Sequence, residues 1–186
     1  MGRPPPWELV GTEHLQDCAV FQVHRTLTRS PRSGEVHSFY RIDASDWVNV
    51  VPLTAADEVV MVRQWRHGVG EITLEIPGGI VDPGETPAQA AARELLEETG
   101  FRADGIEPIG VVNPNPALFG NRVHTFLAPG ARRVAEVANE GQEETVVELV
   151  PVSEIPARLR SGEIDHALVI AALHWFELSR NGEGAP

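Results

Sequence analysis

Residues 78–101 read GGIVDPGETPAQAAARELLEETGF, and the turn RELLEE near its end carries three glutamates. Thr86, Pro87 and Gln89 form a helix start: an N-cap, a proline at the first helical position and a capping-box partner at the third. AQAAARELLEET then has high helix propensity, and Gly100 is the residue best able to take the left-handed conformation that closes a helix. At about 100° per residue, Ala88, Ala91, Ala92, Leu95 and Leu96 are expected on the apolar side, with Glu94, Glu97 and Glu98 beside Arg93 on the opposite face. Glu94 and Glu98 have a like-charge spacing that costs roughly 0.2–0.5 kcal/mol, at the helix end where the macrodipole already disfavours anions. Local stability does not explain them. The bland alternative is a solvated acidic face.

The flanks decide between the two. Gly79, five residues, Glu85, seven residues, Arg93, Glu94, Leu95, one residue, Glu97, Glu98, one residue, Gly100 and Phe101 resemble the signature of the Nudix hydrolases at every defined position. The resemblance implies an enzyme that cleaves a nucleoside diphosphate linked to some other group. It also implies an α+β fold, the Nudix α/β/α sandwich with a mixed sheet. Hard cations such as Mg²⁺ and Mn²⁺ prefer oxygen ligands, and Mg²⁺ is usually held by one or two carboxylates, waters and substrate phosphates. A glutamate pair on adjacent turns suits that chemistry, with the cation polarising the diphosphate for attack by water. On the resemblance, the metal ligands are Glu94, Glu97, Glu98 and the backbone carbonyl of Gly78. Glu85 and Arg93 orient the helix and loop.

The chain has 186 residues, 42% of them hydrophobic, enough for one domain with a small addition and a substantial core. Asp and Glu total 27 against 15 Lys and Arg, a net charge of −12 that disfavours a general polyanion-binding surface, so nucleic acid is not the expected partner. The single cysteine, Cys18, permits no intrachain disulfide and fits a reducing cytoplasm. No segment approaches the roughly 20 apolar residues that span a membrane, and the N-terminus lacks a signal pattern.

Strands are expected at residues 18–28 and 36–43, joined by the turn cluster SPRSGE. Residues 47–53 and 58–65 read as a hairpin around TAAD, and 72–79 leads into the signature. Further strands are expected at 106–112, 122–128 and 145–152. A helix begins near SEIPARLRSG, and a terminal amphipathic helix over 163–179 presents Ala167, Leu168, Ala171 and Trp175. The division is therefore an N-terminal strand segment (1–46), a Nudix domain (47–180) and a flexible tail (181–186). The N-terminal segment looks like the extra sheet of ADP-ribose pyrophosphatase relatives, where it crosses to a second subunit and helps build its site. A homodimer follows from that resemblance.

Three features bear on the substrate. VRQWRHG (62–68) is similar to an element of the ADP-ribose pyrophosphatases in which the second arginine, here Arg66, meets the substrate phosphates, a role suited to bidentate guanidinium contacts. LEIPGG (74–79) is typical of the same subgroup and contains Glu75, for which a salt bridge is the structural alternative. Pro116 lies in NPNPALFGN, which resembles the subgroup's substrate loop. In EGQEETVV, Glu144 best matches a loop glutamate that binds metal or activates water in the subgroup, with Glu143 next; failing these, the base is sought among Glu75, Glu97 or another carboxylate. The expected function is cleavage of ADP-ribose or a related nucleoside diphosphate sugar to a nucleoside monophosphate and a sugar phosphate. The alternatives are another nucleoside diphosphate derivative, such as a dinucleoside polyphosphate or NADH, or a non-catalytic Nudix-fold sensor.

Overall fold

The computed structural model describes residues 2–139 and 144–182. They gather into two compact units, one made of Met1–Ser45 with Asn113–Arg122, the other of Asp46–Val112 with Val123–Pro186.

The first unit is a three-stranded antiparallel sheet of β1 (Glu8–Asp17), β2 (Phe21–Arg29) and β3 (Val36–Ala44), with β2 in the middle. The sequence suggests only two strands here. ELVGTEHLQD has no clean alternation of apolar and polar residues, and nearly all of β1 is exposed. Its strand state comes from pairing with β2, with register shifts between Leu9 and Gly11 and between His14 and Gln16. The loop at 113–122 joins this sheet by a parallel bridge of Ile42 to Phe119.

In the second unit a seven-stranded mixed sheet contains β4 (Trp47–Leu53), β5 (Glu58–Arg66), β6 (Glu71–Glu75), β7 (Gly78–Ile80), β9 (Glu107–Val112), β10 (Val123–Pro129) and β12 (Thr145–Pro151). The short strands β8 (Phe101–Arg102) and β11 (Arg132–Arg133) pair separately. Helix α1 (Pro87–Thr99) covers one face, packing Ala90, Ala91 and Leu95 on Val48, Val50, Val60 and Phe126. Helices α2 (Ile155–Ser161) and α3 (Ala167–Arg180) cover the other, with Val169, Ala172, Leu173 and Phe176 against Val51, Met61, Leu74 and Ile109. The terminal helix is thus present, but its buried stripe is not the expected one: Ala167 is exposed and the interior side is Val169, Ala172, Leu173 and Phe176. No helix among the described residues is long and apolar enough to cross a membrane.

The hairpin expected of β4 and β5 opens almost at once. The two strands meet only at Leu53 and Val59, and then diverge. Residues 71–80 fill the gap, β6 pairing with β5 from Val62 to Arg66 and β7 pairing with β4 from Trp47 to Asn49. Between them the Val50 N–H donates to the Pro77 carbonyl at 2.8 Å. Pro77 has no N–H for a ladder, so the segment changes strand partner there. This split carries Glu75 and Gly78 into the middle of the sheet.

Candidate active site

Helix α1 begins as its sequence dictates. Thr86 Oγ1 accepts the Gln89 N–H at 3.3 Å, and Gln89 Oε1 accepts the Thr86 N–H at 2.8 Å, closing the capping box. It ends at Gly100, whose φ of 72° and close approach to the Ala135 carbonyl exclude a side chain.

The buried face of this helix differs from the expected one. Ala88 and Ala92 are exposed, while Glu94 and Glu98 share the interior stripe with Ala90, Ala91 and Leu95. Glu94 is 9% and Glu98 3% exposed. Apolar periodicity placed these glutamates on the face opposite the apolar side. The glycine loop makes the difference: Gly79 passes so close to the Glu94 carboxylate that a Cβ there would overlap it. The Gly78 N–H donates to Glu98 Oε2 at 3.0 Å.

Arg93 organises the neighbouring acids. Its guanidinium donates to both oxygens of Glu85 at 3.2 and 3.0 Å, to Glu94 at 2.8 Å, to Glu97 at 3.2 Å and to the Ile80 carbonyl at 3.0 Å. The Arg93 bonds hold the Glu85 carboxyl below the usual carboxylate range, and the same bonds, those to Glu85 first, raise Arg93 further above its ordinary value. One cation therefore hydrogen-bonds three carboxylates, with Asp82 a fourth at 3.7 Å. Among the described residues, no three His, Cys, Asp or Glu side chains gather closely enough to hold an ion by themselves.

A second cluster lies on the side of the sheet that α1 covers, as the two-residue alternation from Val60 through Arg66 requires. Arg66 donates to the two oxygens of Glu75 at 2.7 and 2.6 Å, and Thr73 Oγ1 donates to Glu75 at 2.6 Å. Glu75 is 2% exposed. Burial opposes its ionisation, but the Arg66 bonds and charge, then Thr73 and His166, hold it below the usual carboxylate range.

Comparison with known proteins places this geometry. The model of the NUDIX domain matches residues 46–173. The chain belongs to the Nudix family. An ADP-ribose pyrophosphatase of Mycobacterium tuberculosis is 30% identical over 172 residues, covering 90% of this chain and 81% of that one. One from Bacillus subtilis is 32% identical over 133 residues, covering 70% and 71%. The crystal structure of an ADP compounds hydrolase shares the fold with a TM-score of 0.84, at 20% identity over 98% of this chain and all of that one.

This Nudix hydrolase thus brings Glu85, Arg93, Glu94 and Glu97 together, sets Glu98 against Gly78, and pairs Arg66 with Glu75. Glu144 is exposed immediately before β12, and Glu143 lies outside the described residues. Pro116 is exposed in the 113–122 loop of the first unit. Thr73 and His166 escaped the sequence reading. For Thr73 a signal existed, because two residues before Glu75 on one strand is the same face; for His166, at the N-cap of α3, the charge effect on Glu75 is purely tertiary.

Proposed function

We propose that this Nudix hydrolase is a Mg²⁺ or Mn²⁺ dependent pyrophosphohydrolase of ADP-ribose or a related nucleoside diphosphate sugar. Water adds across the phosphoric anhydride, releasing AMP and a sugar phosphate in the ADP-ribose case. The observation that carries this reading is the set of Glu94, Glu97 and Glu98 held by Arg93 and Gly78. The substrate class is supported by the names of the relatives from Mycobacterium tuberculosis and Bacillus subtilis.

The residues fit the implied cation. The donors are carboxylates and the Gly78 carbonyl, all hard oxygens, and only a glycine at position 79 leaves the Glu94 carboxylate its space. Mg²⁺ needs one or two protein carboxylates, so a closed three-side-chain cage is not required. Bound by Glu94, Glu98 and Glu97, with the Gly78 carbonyl and Glu144 as further ligands, it would offset their charge and polarise the diphosphate.

The chain's own residues do the rest. Arg93 keeps Glu94 and Glu97 from repelling each other apart. Glu75 fixes the guanidinium plane of Arg66, and we assign Arg66 to the substrate phosphates; because the pair is neutral, its contribution is directional. Pro116 belongs to the proposed substrate loop. Glu144, then Glu143 or Glu97, is the proposed group that takes a proton from the attacking water.

We further infer a homodimer in a reducing cytoplasm, formed through the first unit. Its sheet leaves Trp7, Leu9, Phe39 and Tyr40 exposed, and paired strands of a second copy bury such apolar side chains. Light scattering at micromolar concentration decides this, and a fully active monomer overturns it. The activity itself is tested by incubating nucleoside diphosphate derivatives with Mg²⁺ or Mn²⁺ and identifying products. AMP and ribose 5-phosphate from ADP-ribose are expected, and no turnover of any diphosphate sugar refutes the reading.

A further inference from the structure

The last carbonyls of a helix have no partner within it. In α1 the Leu95 carbonyl takes the Thr99 hydroxyl and the Leu96 carbonyl takes the Gly100 N–H at 2.8 Å. The next acceptors are served from outside the helix. The Ala138 N–H donates to the Glu97 carbonyl at 2.9 Å, and Thr145 Oγ1 donates to the Glu98 carbonyl at 2.8 Å. Val134 and Ala135 donate to the Gly100 carbonyl at 2.8 and 3.1 Å.

The partners of Glu97 and Glu98 are thus backbone and side chain from the two sides of residues 140–143. Thr145 joins those sides directly, since its hydroxyl oxygen also lies 3.0 Å from the Asn139 side-chain amide. A hydroxyl has one proton, and the Glu98 carbonyl can only accept. The Thr145 proton is therefore shared between the Glu98 carbonyl and Asn139 Oδ1. Thr145 is itself set in the sheet, opposite Gln64 of β5. One hydroxyl connects the sheet, the 134–139 segment and the end of the helix that carries Glu94, Glu97 and Glu98.

We propose that Thr145 is a positioning residue: by holding the Glu98 carbonyl it fixes the rotation and height of the last turn of α1, and so the reach of the Glu98 carboxylate to Gly78. The kinetic consequence rests on the hydrolase reading above, but the geometric one does not. A lost anchor at the helix end moves Glu98 relative to the loop, and the Gly78 N–H to Glu98 bond reports that movement from the opposite side of the site.

The test uses Thr145→Val, which keeps shape and strand propensity but removes the hydroxyl, and Thr145→Ser, which keeps the hydroxyl. Val147→Ala, a neighbour packed against the α1 side of the core, controls for general destabilisation. Amide hydrogen exchange is followed by NMR in metal-free protein. Losing this half-buried hydrogen bond is expected to speed exchange at Gly78 and Ala138 by about fivefold to tenfold in Thr145→Val. Thr145→Ser restores both rates, and Val147→Ala leaves them unmoved relative to other amides of the sheet. In turnover assays Thr145→Val lowers kcat at unchanged KM, and the serine variant recovers it. Unaltered Gly78 exchange in Thr145→Val overturns the proposal, as does a kcat no lower than that of Val147→Ala. If Glu98→Gln keeps full turnover, the hydrolase assignment of these carboxylates fails, while Gly78 exchange still decides the role of Thr145.

Discussion

Glu98 accepts the backbone N–H of Gly78 at 3.0 Å, which ties the helix of the Nudix box to the glycine loop that opens it. An amide at this position retains the acceptor and the volume while removing the charge. Glu98→Gln is therefore expected to fold with a near-normal Tm and to lose turnover by orders of magnitude, together with its Mn²⁺ affinity by isothermal titration. Near-normal turnover would remove Glu98 from the chemistry.

The two glycines of the loop separate structure from activity. A Cβ at Gly78 would meet first the Val48 carbonyl, which is strand backbone and cannot step aside, and then the Asn49 side-chain oxygen, whereas the nearest atoms to a Cβ at Gly79 are those of the Glu94 carboxylate. Gly78→Ala is expected to destabilise by about 1–3 kcal/mol, as overpacking does. Gly79→Ala is expected to displace a movable side-chain end, so its Tm should change little while kcat falls at least tenfold. Thermal melts and kinetics on both variants check this, and the reverse pattern would contradict it.

How far the sequence carries depends on which interactions are local. The limits of α1 were legible because Thr86, Gln89 and Gly100 act within a few residues of the backbone they cap. The acids that Arg93 gathers were legible too, since Glu94 and Glu97 are one and four residues away on one helix. The burial of Glu94 and Glu98 was not, because periodicity scores side chains and cannot see a glycine loop approaching from another strand. Strand β1 was missed for a related reason: it exists through pairing with β2 rather than through a buried face. Thr145 and Asn139 carry no pattern at all, and their connection to Glu98 appears only once β12 is placed beside β5.

Glu75 supplies a pH signature. Its folded carboxyl titrates below the ordinary value of 4.5, so the stability from its ionised form is present above that value and is lost as pH falls through the lower folded one. Losing the charge-assisted bonds to Arg66 in Glu75→Gln is expected to cost about 2 kcal/mol at neutral pH, or roughly 4–8 °C in Tm; the low end applies because the Arg66 side chain is 40% exposed. The Tm gap between wild type and variant should narrow as pH is lowered from about 7 to about 3. A gap that stays constant across that range would show that the ionised pair adds nothing to stability.

The proposed general base, Glu144 or Glu143, stands just before β12. Glu144 directly precedes Thr145, whose hydroxyl is bonded to the Glu98 carbonyl at 2.8 Å, so the start of this strand is anchored at the end of helix α1. Glu143 is one residue further along the chain. A group that takes the proton of the attacking water acts mainly in the transition state, so its loss lowers kcat with little effect on KM. An acidic surface loop that serves only solubility would leave both unchanged. We expect one of Glu144→Gln and Glu143→Gln to lose most of its kcat, with Glu144 favoured because its position is tied to that anchor. Single and double variants, assayed at saturating Mg²⁺, separate the cases. If all three keep wild-type kcat, the base lies elsewhere and Glu97, already beside Arg93, becomes the next residue to change.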